Sequence, residues 1–295
     1  MSLPFIDRNP TTKEVEKLRL ILSTYQDGTG MLQDKEISDR TLPGWRDFER
    51  AVALAFKGYA QESKAIFDVL FPDANNLRTS YGLSCKMRAT LDRITQDDRV
   101  TIEVSNSAGK FWDHLKARNL DQSNYRTQPL EVGKALIELV EHWYEEARTN
   151  SEGTRILQKA KATEVAIRNG GTVDVEKSSF LVLSYNKKGW YQLHQFPLVL
   201  PDPNSLSWEF TSSLGKNARD SRRLAGRDGI GVLFEWYGES GGQLKYYPFA
   251  SNAKWASPQF QLESLPDTEG YGILAKARAY FPRLWQEAWD EDEIE

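Results

Sequence analysis

The sequence predicts an α/β (α+β) protein with a mixed central β-sheet flanked by helices. Three observations support this. Apolar residues at helical spacing dominate the chain as far as Arg148. Between Ala65 and Val104 that pattern is interrupted by short runs rich in β-branched and aromatic residues. After about residue 172 almost every apolar run is short and punctuated by Gly or Asn.

The first helix is expected from Thr12 to Tyr25, with Val15, Leu18, Ile21 and Leu22 as its apolar positions, and it ends at Gly28-Thr29-Gly30. A second is expected from Pro43 to Tyr59, where Trp45, Phe48, Val52 and Phe56 recur at spacings of three and four. Ala65 to Phe71 and Tyr81 to Met87 read as the two strands of a hairpin broken by Pro72-Asp73-Ala74-Asn75-Asn76. Val100 to Val104 reads as a third strand, reached through the polar stretch Thr90 to Arg99. Ser105-Asn106-Ser107 can cap a helix carrying Phe111, Trp112 and Leu115. The long helix from Pro129 to Arg148 shows Val132, Leu136, Leu139, Val140 and Trp143 on one face. Short strands are then expected at Phe180–Ser184, Trp190–Leu193, Leu206–Phe210, Gly231–Trp236, Gln243–Tyr247 and Phe260–Leu262. A short aromatic helix and an acidic tail, Asp290 to Glu295, close the sequence.

Composition narrows the class. With 40% hydrophobic and 27% charged residues, the chain has the make-up of an ordinary folded protein. A net charge of -4 means that any nucleic-acid partner must be held by a local basic surface. Cys85 is the single cysteine, so an intrachain disulfide and a cysteine zinc cluster are both excluded. The histidines at 114, 142 and 194 match no metal-ligand spacing. Met1 leads into Pro4, Asp7 and Arg8 without an apolar run, and no stretch is long enough to span a bilayer. A cytoplasmic protein without a membrane segment is the expectation.

Charged residues inside apolar strands carry the functional signal. Asp68 sits between Phe67 and Val69, Lys86 ends an otherwise apolar or small run, and Glu103 lies between Ile102 and Val104. Such positions are costly unless the charge is paired or metal-bound. Asp68 and Glu103 can supply the one or two carboxylates that Mg²⁺ takes from a protein beside a phosphodiester. A neighbouring lysine can orient the attacking water and offset phosphate charge. Alternation puts Ser84 and Lys86 on one face and Cys85, expected as plain core, on the other.

This stretch resembles the PD-(D/E)xK nuclease superfamily, which includes most type II restriction endonucleases. The superfamily's pattern is a strand Asp, a loop, then acid-x-Lys on the next strand. Asp68 matches the Asp, with Phe67 where the pattern has Pro, and Lys86 matches the Lys. Ser84 stands at the acid's position, a variant in which a Glu further along the chain is recruited; Glu103 is the candidate. The family's upstream helix often adds a Glu near the metal, and Glu49 takes that place. Pro72-Asp73 is a literal Pro-Asp and stays open as the alternative to Asp68. The likeness covers residues 43 to 115.

The resemblance implies a sequence-specific restriction endonuclease that hydrolyses phosphodiester bonds of double-stranded DNA with Mg²⁺, leaving 5′-phosphate and 3′-hydroxyl ends. It also implies a homodimer, since two-fold DNA sites match two-fold proteins. Residues 1–40 would be a helical extension, 41–170 a restriction-endonuclease-like catalytic core, and 171–295 a β-rich part packed on it for recognition. Lys216, Arg219, Arg222, Arg223 and Arg227 lie in a Gly-bearing basic segment suited to phosphates or guanine edges. Lys245, in an aromatic strand after a glycine turn, and Ser105 and Asn106, directly after Glu103, are further DNA-contact candidates. A repair or recombination nuclease of the same superfamily and a non-catalytic DNA-binding protein on a nuclease-like fold are the alternatives. Ser84 keeps the second of these open.

Overall fold

The computed structural model of the chain describes residues 2–31, 41–60, 66–73, 75–76, 79–105, 107–149, 172–213, 221–239, 241–265 and 271–288. Helix α1 (Thr12–Ser23) starts in a capping box in which Thr11 and Glu14 satisfy each other's backbone N–H groups. Helix α2 (Trp45–Phe56) ends where Lys57 takes the left-handed conformation. Two further helices follow, α3 (Leu91–Asp97) and α4 (Ala108–Lys116). The long α5 (Pro129–Thr149) has Pro129 at its first position, where a missing N–H costs nothing. Helices α6 (Tyr271–Tyr280) and α7 (Pro282–Ala288) come last.

The strands are β1 (Tyr59–Ala60), β2 (Val69–Pro72), β3 (Thr79–Arg88), β4 (Ile102–Ser105), β5 (Thr172–Val173), β6 (Ser179–Tyr185) and β7 (Trp190–Pro197). They continue with β8 (Ser207–Ser213), β9 (Ser221–Arg227), β10 (Val232–Tyr237), β11 (Gln243–Tyr246), β12 (Trp255–Ala256) and β13 (Phe260–Gln261). Among the described residues they form two sheets. The first runs β1-β2-β3-β6-β7-β12, with β5 beside β3 and β13 beside β7. It is mixed: β2 and β3 are antiparallel, β3 and β6 parallel. The second runs β4-β11-β10-β9-β8 and is antiparallel throughout. The expected α/β architecture, a mixed sheet flanked by helices, is the observed one.

Side-chain alternation on the first sheet divides the core in two. Val69, Phe71, Leu83, Cys85, Leu181, Leu183 and Leu193 pack with Leu18 and Leu22 of α1 and Phe48, Val52 and Phe56 of α2. On the opposite side Leu70, Phe180, Val182 and Phe196 join a larger core built from α4, α5 and the second sheet. There Phe111, Leu136, Val140, Phe234 and Trp236 are fully or almost fully buried. Because Phe5, Leu18 and Leu22 share a core with the sheet, α1 is integral to the body.

Three points go beyond the sequence patterns. The strand expected at Val100 to Val104 is β4, and its partner is β11 in the second sheet. The polar stretch Thr90 to Arg99 contains α3, whose two turns anchor through buried Leu91 and partly buried Ile94. The basic segment is in part an internal strand: β9 lies between β8 and β10, with Leu224 buried and Gly226 beneath Trp208. The boundary near residue 170 is crossed in both directions, since β6 and β7 complete the first sheet and β4 begins the second. The acidic tail, residues 290–295, lies outside the described residues. No helix among the described residues is long and apolar enough to cross a membrane.

Helix α5 meets the second sheet through a close approach. The Trp208 indole lies so tightly on Gly133 that a Cβ there would overlap the ring. In an open helix, Gly to Ala gains about 1 kcal/mol from propensity. At this position the sign should reverse, and Gly133→Ala is expected to lose about 1–3 kcal/mol through overpacking. Urea unfolding measures it; a stabilised variant would contradict the packing described.

Candidate active site

The hairpin of β2 and β3 positions the first carboxylate. Phe67 is fully buried and lies over Gly82 of β3, where a Cβ would overlap its ring. The chain can therefore run close to β3 just before β2 begins. Asp68, the next residue, donates its N–H to the Leu83 carbonyl at 2.9 Å. Its Oδ2 accepts the Cys85 N–H at 2.7 Å and lies 3.4 Å from Lys86 Nζ. Ser84 is buried on the same strand and its hydroxyl favours the ionised form of Asp68. This surrounding follows from one fact: Ser84 and Lys86 share a face of β3, and the Cys85 amide lies between them. Burial raises the pKa of Asp68 above the ordinary carboxylate range, and Lys86, the Cys85 amide and Ser84 pull the other way.

Glu49, on α2, is the second acid of the site. Burial and the charge of Asp68 push it up to about 7, against the opposing pull of Lys86, Arg46 and Arg50. The charges of Asp68 and Lys86 thus both act on Glu49. Cys85 is buried on the other face, and burial followed by the charges of Asp68 and Glu49 pushes its thiol well up. That is the environment of an inert core thiol. Asp73, the alternative, is taken up by the turn. Its Oδ1 accepts the Asn75 N–H at 2.7 Å and its Oδ2 the Tyr81 hydroxyl at 2.6 Å. Asp68 is the carboxylate beside Lys86.

Glu103 departs from the expected arrangement. Because β4 joins the second sheet, its carboxylate pairs with Arg88 at the end of β3. The sequence reading passed over Arg88, although alternation along Ser84, Lys86 and Arg88 was available to place it. Among the described residues, no group of three or more His, Cys, Asp or Glu side chains is gathered as a metal site. Mg²⁺ keeps most of its waters and needs only one or two protein carboxylates. Asp68 and Glu49 are two partly buried acids that fit that requirement, and the charge of Asp68 raises the cost of ionising Glu49.

The DNA-contact candidates fall in three places. Lys216, Arg219 and Asn106 lie outside the described residues, as does the side chain of Arg222. Ser105 ends β4, and its hydroxyl accepts the Ser107 N–H at 3.2 Å in a local turn before α4. Arg223, Arg227 and Lys245 are on the polar face of the second sheet. Arg227 Nε donates to Glu209 at 2.6 Å. Arg223 donates to Glu235 at 2.8 Å and to the Tyr237 hydroxyl at 3.1 Å. The Lys245 ammonium lies over the Tyr237 ring, 4.4 Å from its centroid. The sequence reading did not single out Glu235, which the Tyr237 and Tyr247 hydroxyls also reach at 2.9 and 2.6 Å.

Comparison with protein-family models, curated proteins and solved structures finds no match to this chain. The functional reading therefore rests on the geometry above.

The raised Glu49 carboxyl has a sign that can be tested. Its neutral form is favoured in the folded state, so its contribution to stability is present below about pH 4.5 and is lost as pH rises through about 7. In metal-free buffer, Glu49→Gln should stabilise the protein by about 1–3 kcal/mol at pH 8. The gain should shrink toward pH 5. Denaturant unfolding across that range reads the difference, and a gap independent of pH would remove Glu49 from the coupled unit.

Proposed function

We propose that this chain is a Mg²⁺-dependent endodeoxyribonuclease and, within that class, a sequence-specific type II restriction endonuclease. It acts on double-stranded DNA as a cytoplasmic homodimer. The observation that supports this reading is the shared Asp68 Oδ2, bonded to the Cys85 amide and 3.4 Å from Lys86 Nζ, with Glu49 electrically coupled to both. A helix acid, an Asp just before one strand and a Lys on the antiparallel neighbour form the arrangement that phosphodiester hydrolysis needs. The PD-(D/E)xK resemblance points the same way.

Asp68 and Glu49 would hold the Mg²⁺. When bound, the ion would lower the pKa of a coordinated water and stabilise charge on the phosphate oxygens. Lys86 places its ammonium beside the Asp68 carboxylate, where it can orient a water and neutralise a phosphate oxygen. Ser84, small and buried on the same face of β3 as Lys86, leaves room beside the Asp68 carboxylate. Arg223, Arg227 and Lys245 present donors to DNA from the second sheet. One observation favours a rival, the non-catalytic DNA-binding protein: Glu103, the recruited acid of the variant pattern, is held by Arg88.

Purified protein incubated with plasmid and Mg²⁺ separates these readings. Discrete fragments are expected. Random degradation would mark a repair or recombination nuclease, and bound but uncut plasmid the rival. Lys86→Ala should slow cutting by about 10²–10³-fold, the scale of losing one preorganised electrostatic partner, while plasmid binding persists. Cutting at the wild-type rate would remove Lys86 from the site.

A further inference from the structure

The polar face of β3 does not end at Lys86. Arg88 follows two residues along, on the same face, and its guanidinium pairs with Glu103 of β4. Two residues of strand span about 6.5–7 Å, comparable to the distance between successive phosphates of a nucleic-acid strand. Across the second sheet, Lys245 stands in register with Glu103, and Glu235 in register with Lys245. Glu103 therefore pairs with a cation of the first sheet and has a cation of the second as its cross-strand neighbour. Glu235 is already engaged by Arg223 and by the Tyr237 and Tyr247 hydroxyls.

We infer that Arg88 and Lys245 form a second phosphate subsite, which takes the backbone phosphate next to the one at Asp68 and Lys86 and which the Glu103 carboxylate fills when no nucleic acid is bound. The inference builds on the nuclease reading and adds a direction to it: the strand runs from the β2–β3 hairpin onto the polar face of the second sheet. Glu103 is the internal stand-in for a phosphate oxygen, and an arginine fork suits either anion. The electrostatics agree. Burial and then the charge of Arg88 lower the pKa of Lys245, against the opposing pull of Glu235, so the two cations act on one another. Arg88 is itself lowered by burial.

The test is equilibrium binding of a short labelled duplex of mixed sequence to the full chain in EDTA, by fluorescence anisotropy over a range of salt. Lys245→Ala and the double variant Arg88→Ala/Glu103→Gln, which leaves no carboxylate stranded, should each take about one unit off the slope of log affinity against log salt. Glu103→Gln alone should tighten binding several-fold, because it removes the competing anion. Arg118→Ala, on the α4 side and paired with Glu138, should leave the slope unchanged. Slopes that stay at the wild-type value in both cation variants would overturn the subsite. So would an equal loss in Arg118→Ala, weaker binding by Glu103→Gln, or a wild-type chain that does not bind the duplex. Plasmid cleavage is read separately. Reduced slopes without cutting leave the subsite standing and remove the nuclease reading; cutting with unchanged slopes does the reverse.

Discussion

Strand β3 has to satisfy two environments at once, and most of the molecule is arranged around that requirement. Leu83 and Cys85 belong to the core shared with α1 and α2. Ser84, Lys86 and Arg88 alternate with them and hold the polar side. A slip of one residue in pairing would exchange the two sets and bury two cations in an apolar core, so register here is strongly specified. That same register puts the Cys85 amide under the Asp68 carboxylate and Lys86 beside it. It also sends Arg88 to the second sheet. Core, candidate site and inter-sheet contact are thus three results of one alternation.

The energetics of the acid pair follow from where this alternation places it. Asp68 is taken partly out of water and compensated by one lysine and one amide. Glu49 shares the compensation and ends near neutrality. Two carboxylates competing for the same counter-charge form a local concentration of unpaid electrostatic cost. Nothing in the packing of α2 or the hairpin requires it, and such strained charge tends to mark function. Further along the same strand Arg88 meets Glu103, and Lys245 and Glu235 follow in register across the second sheet.

Much of this was legible in the sequence, and the limits were physical. Asp68 and Lys86 stood out because apolar neighbours make a charge conspicuous, and the breaker run at 72–76 showed that their strands form a hairpin. Local patterns also gave α1, α2, α4 and α5 to within a few residues. Glu103 was recognised as exceptional but put in the wrong company. A strand's pattern reports how buried it is, whereas its partner is fixed by the tertiary fold. Two turns are too few for periodicity to declare a helix, which hid α3. In β9, Arg222, Arg223, Ala225 and Gly226 dilute the apolar alternation, because Trp208 supplies from β8 the bulk that β9 lacks. The strand's identity is written in its neighbour.

The exchange of strands between the two halves bears on how such a chain is made. All the residues of the proposed acid pole, Glu49, Asp68 and Lys86, belong to the first third of the sequence. Neither sheet they depend on can close from that part alone. Strand β3 waits for β6, and β4 waits for β11. Long-range pairing of this kind is slow to form, and domains emerge from the ribosome N-terminal end first. The early segment therefore leaves the ribosome before the strands that complete its sheets. Synthesis order sets the order of assembly: β3 gains its parallel partner only when residues 179–185 exist, and β4 its partner only when residues 243–246 do.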